Sequence, residues 1–183
     1  MQTGFMDKSP IERRTIRKVV WRLVPFLMVC YLLAFIDRGN VGMASLQMNH
    51  DLGMSAKVFG FGSSLFFISY FLCEVPSNLA LEKYGARIWI ARIMITWGIV
   101  SAATAFVHNA TSFYVLRFLL GAAEAGFFPG VLLYLSYWIP ASYRARIVAT
   151  FMVAIPAASF IGSPISALLL QMDGFWGLRG WHW

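Results

Sequence analysis

Four ionisable residues lie inside stretches that are otherwise apolar: Asp37 and Arg38 in "LLAFIDRGNVGMASL", and Arg117 and Glu124 in "YVLRFLLGAAEAGFF". Each costs on the order of a few kcal/mol at membrane depth, so their presence calls for a chemical use or a structural partner. Arginine suits a carboxylate, because its planar fork donates two parallel hydrogen bonds and stays charged at any relevant pH. An Asp or Glu in a dry, partly apolar site can load and release a proton near neutral pH. Neighbouring helix residues point about 100° apart, so Asp37 and Arg38 do not simply neutralise each other. One can face a substrate path while the other meets a neighbouring helix. Arg117 and Glu124 are separated by two turns and share one helix face.

The elements that position these groups follow from composition. Of 183 residues, 59% are hydrophobic, 16% aromatic and only 13% charged, with a mean hydropathy of +0.66. A soluble domain carries about 25% charged residues. Apolar runs of about 20 residues recur along the chain, which predicts an all-α polytopic membrane protein. Five spans are expected, over 23–46, 59–81, 88–107, 112–138 and 147–171, joined by the short connections "HDLGMSAKV", "EKYGAR", "HNAT" and "IPASYRAR". Residues 1–22 form a basic segment ahead of them, and no cleavable signal peptide is expected, because the first apolar run is too long.

The distribution of basic residues predicts that the N-terminus is cytoplasmic. On that side fall Lys8, Arg13, Arg14, Arg17, Lys18, Arg22, Lys83, Arg87, Arg92, Arg144 and Arg146, against Arg38, Lys57 and Arg179 on the other. The net charge of +7 is accounted for by this bias and does not call for a nucleic-acid partner. Cys30 and Cys73 lie in apolar runs and read as small packed side chains. His50, His108 and His182 fall in loops, and neither HExxH nor GxSxG occurs, so no metal or cofactor is expected.

At about 1.5 Å per residue, Asp37 lies about 21 Å in from the cytoplasmic edge and Arg117 about 8 Å in from the other, which puts them at one level. Glu124 falls a heptad deeper, near the level of Glu74. Glu74 and Arg92, close to the cytoplasmic edge, read as structural groups whose side chains snorkel. Asp37, Arg38, Arg117 and Glu124 call for a water-filled cavity, and hence for something that passes through it. Gly121, Gly126 and Gly130 give the fourth span a small surface for close packing, and Gly162 with Pro156 and Pro164 interrupts the fifth.

The stretch "NLALEKYGAR" resembles the loop signature of the major facilitator superfamily, with Glu82 standing for its aspartate and Lys83, Gly85 and Arg87 matching. "DRGNVG", "FLCEVPSN", "RFLLGAAEAGFFPG" and "YWIPASYRAR" together resemble the anion:cation symporter family, in particular its tartrate, hydroxyphenylacetate and phthalate permeases. That resemblance implies twelve helices in two halves that rock about a central site, with this chain an incomplete N-terminal half whose C-terminal half is missing. It implies proton-coupled symport of a small organic anion such as tartrate, across the bilayer of the plasma membrane, the inner membrane in a bacterium. Arg38 would then bind the substrate carboxylate, Tyr70 would line the cavity, and Arg117 would couple substrate to proton. Asp37 and Glu124 would be the protonatable groups, and Glu82, Lys83, Gly85 and Arg87 a cytoplasmic gating loop. A membrane-embedded enzyme using Asp37 or Glu124, and a sensor that keeps the fold without transporting, are the alternatives.

Overall fold

The computed structural model describes residues 10–182; Lys8 lies outside them. Among the described residues the regular structure is helical, with α1 at Pro10–Asp51, α2 at Ala56–Tyr84, α3 at Ala86–Ala103, α4 at Ala110–Glu124, α5 at Phe127–Trp138, α6 at Ala141–Met152 and α7 at Ala154–Leu170. Short 3-10 turns follow α3 and close the C-terminal segment. Five helical units are long and apolar enough to cross a membrane: α1, α2, α3, α4 with α5, and α6 with α7. At 42 residues α1 is about 63 Å long, about twice the hydrocarbon thickness, so its charged first turns extend the helix beyond the apolar span.

The connections are tighter than the sequence suggests. Gly85, at φ +86°, is the single residue between α2 and α3, so Glu82 and Lys83 sit in the last turn of α2 and Arg87 in the first turn of α3. All four are exposed. Asn109 starts α4 with a capping box: its side chain accepts from Ser112 N–H at 2.8 Å, and Ser112 Oγ accepts from Asn109 N–H at 3.1 Å.

The fourth span is not the continuous helix expected. It breaks at Ala125–Gly126, where Gly126 adopts φ +81°. Pro129 is the cause: it has no N–H for the Ala125 carbonyl, and its ring would crowd that carbonyl in a continuous helix. Ser77 of α2 takes up the freed carbonyl, donating from Oγ at 2.7 Å, and itself accepts from Trp89 Nε1 at 3.0 Å. The fifth span breaks at Val153 and not at Gly162. Pro156 leaves the Met152 carbonyl without its helical donor, which loosens the turn just before it. Gly162 stays helical and lets Ile36 of α1 pack against the α7 backbone, where an added Cβ would stand 3.0 Å from Ile36 Cγ1.

The packing follows these small residues. α2 lies along α4 and α5, with Gly121 against the Phe66 carbonyl and Ser69, Gly126 against Ser77, and Gly130 against Leu81. α1 packs on α7 and α6. The fourth span is the centre of the bundle, with 56% of its apolar window buried against 17–28% for the others. Large apolar side chains such as Phe67, Phe71, Ile99, Leu119 and Phe160 face outward, as a lipid-exposed surface requires.

Three apolar clusters stack along α1. One gathers Val24, Leu27 and Tyr31 with Ile90, Val131 and Phe151; a second gathers Ala34 with Phe66, Trp97 and Leu120; a third gathers Met48 with Val107 and Phe113. Asp37 and Arg38 fall between the second and third. Cys30 is buried, Cys73 half-buried, and neither is in a disulfide.

Candidate functional site

Asp37 and Arg38 diverge from α1, as their spacing requires. Arg38 crosses to α4, where its Nη2 lies 2.7 Å from Glu124 Oε1 and its Nε donates to Oε2 at 3.2 Å. Two parallel bonds from one guanidinium to one carboxylate are the strong form of this pairing. Glu124 is 3% exposed and Arg117 5%. The Phe66 ring lies under both cations, with its centroid 5.3 Å from Arg38 Cζ and 4.7 Å from Arg117 Cζ. Phe35 and Tyr70 add further ring contacts to Arg38, at 5.2 and 5.3 Å. The negative faces of these rings partly replace the water that a guanidinium loses on burial.

Depth counting separates Arg38 from Glu124 by several ångströms, yet the two are paired. The count treats helices as straight and normal to the bilayer. Spanning helices tilt by about 20° on average, and the long Arg38 side chain covers the remaining offset. The same count places Asp37 level with Arg117, but they are not bonded. Asp37 faces α3 instead: its Oδ2 accepts from Trp97 Nε1 at 3.2 Å and its Oδ1 from Ser101 Oγ at 2.5 Å.

Arg117 stands differently. Its Nε and Nη1 are buried without a hydrogen-bond partner among the described residues. It is a desolvated cation beside an ion pair, an arrangement that a small anion can complete.

Trp97 and Ser101 are the site residues that the sequence reading misses. Four apart on α3, they share one face, but each is an ordinary residue for an apolar span. A cleft of about 360 Å³ opens beside them, lined by Asp37, Asn40, Ser101, Ser166, Trp181 and His182 among others. Asn40 accepts a hydrogen bond from Ser166 Oγ on α7.

Glu74 and Arg92 lie apart from this group. Arg92 stacks on Trp89, with its Cζ 4.1 Å from the ring centroid, and Glu74 is half-buried on α2. Arg144, in the "YRAR" stretch, caps the end of α5 by donating to the carbonyls of Ser136 and Ile139 at 3.2 and 3.4 Å.

Among the described residues, the chain is a helical bundle with five units long and apolar enough to cross a membrane, and half-buried Arg38 of α1 meets buried Glu124 of α4 inside it. The chain belongs to the Major Facilitator Superfamily, whose sequence profile matches residues 27–183. It is 61% identical over 175 residues to a protein of Agrobacterium vitis named "Putative tartrate transporter", covering 96% of this chain and 40% of that one. It is 57% identical over 167 residues to a protein of Pseudomonas putida named "Putative metabolite transport protein NicT", covering 91% of this chain and 38% of that one. It is 50% identical over 172 residues to a quinolone resistance transporter of Acinetobacter baumannii, covering 94% and 40%. The chain thus spans about two fifths of the length of these relatives.

Proposed function

We propose that the chain forms part of a secondary active transporter that carries a small organic anion, such as tartrate or another carboxylate, together with protons across the plasma membrane. In a bacterium this is the inner membrane, with the N-terminus in the cytoplasm. Residues 23–183 are the greater part of an N-terminal six-helix bundle, and a C-terminal half closes the substrate path. Arg38 holds the substrate carboxylate, Tyr70 borders it, and Arg117 links it to the protonatable Glu124 and Asp37. Glu82, Lys83, Gly85 and Arg87 form the cytoplasmic gate at the α2–α3 corner.

The observation that carries this reading is the Arg38–Glu124 pair beside an Arg117 whose Nε and Nη1 lack partners. Glu124 occupies the fork of Arg38 that a substrate carboxylate would use. Substrate arrival frees Glu124, and a carboxylate left unpaired in a dry site takes a proton. Binding of the anion and loading of the proton are then one event. The kinship with a tartrate-transporter relative supports a carboxylate as the anion.

The test is counterflow of labelled tartrate and related acids in liposomes. One arm carries residues 1–183 alone. The other carries the chain fused to the C-terminal portion of the Agrobacterium vitis relative. Saturable uptake in the fused protein, with none in the chain alone, is expected, because alternating access needs two halves around the site between them. Binding without uptake in the fused protein would favour a sensor, and chemical turnover of the acid would favour an enzyme. Saturable uptake by stable chain alone would overturn the two-half reading.

A further inference from the structure

We propose that Trp97 and Ser101 of α3 are positioning residues that set when Asp37 takes up its proton, with Ser101 the member that changes role. The inference rests on the proton-coupled reading of the site and adds to it a control element outside the four intramembrane charges. Both oxygens of Asp37 are engaged, one by Trp97 Nε1 at 3.2 Å and the other by Ser101 Oγ at 2.5 Å.

The two donors are not equivalent. An indole N–H can only donate, whereas a hydroxyl can donate or accept. When a proton arrives from water at Oδ1, that oxygen becomes a donor. Ser101 then rotates its hydroxyl hydrogen away and accepts the Asp37 O–H. Trp97 meanwhile keeps its bond to Oδ2, which remains an acceptor. Protonation therefore has a defined oxygen, Oδ1, and costs Asp37 no partner. Asp37 and Ser101 both line the cleft, with Asn40 and Ser166 among its other polar lining residues.

The other charged groups around Asp37 come from known directions. Arg38 adjoins it on α1, Arg117 and Glu124 act on it electrostatically from α4, and His182 lines the same cleft from the C-terminal segment. α3 faces it with the uncharged Trp97 and Ser101, and α7 contributes Ser166 to the cleft.

Dicyclohexylcarbodiimide, which modifies protonated carboxyls in apolar surroundings, tests this without transport. The protein in liposomes is labelled between pH 5 and pH 9, and the modification of Asp37 and of Glu124 is read separately by mass spectrometry. In Ser101→Ala, the pH at which half of Asp37 is protected should move from its value in the unsubstituted protein. Ser101→Thr, which keeps the hydroxyl, should restore the original midpoint. Trp97→Phe should also move it, and the Glu124 midpoint should hold in every variant. An Asp37 midpoint unmoved by Ser101→Ala, or movement of Glu124 by the same amount, overturns the assignment. Because labelling reads no uptake, its failure leaves the transport reading standing, and failure of the uptake assay leaves this result interpretable.

Discussion

Asp37, half-buried on α1, and Arg117, buried on α4, are both charges inside the apolar spans, and the structure treats them in opposite ways. Asp37 has a hydrogen bond on each oxygen from α3, while Arg117 keeps two nitrogens without a hydrogen-bond partner among the described residues. The first environment is complete as it stands and can be tuned by its donors. The second is complete only when something else is present. Between them the Arg38–Glu124 pair is satisfied within the protein but is made of groups that another carboxylate could separate. Under the proposed function, the α1–α3 side tunes Asp37, while the α1–α4 side binds the anion and loads the Glu124 proton.

The largest expected effect breaks the link between those sides. Glu124→Gln fixes a neutral side chain in place of the titrating one, so uphill uptake driven by a pH gradient should fall to the level of protein-free liposomes. Exchange of internal for external substrate should persist. Retained uphill uptake would show that Glu124 is not the group joining the two regions.

Stability measures the contrast directly. Arg38→Met leaves Glu124 buried without its partner and should cost about 3–5 kcal/mol, read as a lowered thermal midpoint in detergent. Arg117→Met removes a cation whose Nε and Nη1 have no protein partner, and should be neutral or stabilising by about 1 kcal/mol while abolishing uptake. Equal losses in the two variants would erase the distinction between a paired and a waiting arginine.

A finer test keeps the charge. Arg38→Lys should weaken substrate affinity on the order of tenfold or more, because a point ammonium cannot reproduce a two-bond fork. Wild-type affinity in that variant would move the carboxylate site away from Arg38.

Much of this arrangement is legible in the sequence, because the membrane leaves few options. Apolar runs fix the spanning helices, and the cost of intramembrane charge singles out Asp37, Arg38, Arg117 and Glu124 by residue type and position alone. The divergence of Asp37 from Arg38 follows from helix geometry. Pairing does not, because it depends on tilt and side-chain reach, and so depth counting separates Arg38 from a Glu124 it actually grips. Trp97 and Ser101 stay hidden for a different reason: a tryptophan and a serine in an apolar helix carry no signature until their neighbour is known. The break at Ala125–Gly126 is open to inference from Pro129. Its repair by Ser77 is not, since that needs α2 to be packed alongside.

The central claim is that an incoming carboxylate displaces Glu124 from Arg38 and that the displaced carboxylate takes a proton. The direct measurement is proton uptake on substrate addition to the purified fused protein, in weakly buffered solution with a pH indicator. The account predicts uptake of about one proton per bound anion at neutral pH, absent in Glu124→Gln. Anion binding with no change in bound protons, or an unchanged proton signal in Glu124→Gln, would contradict it.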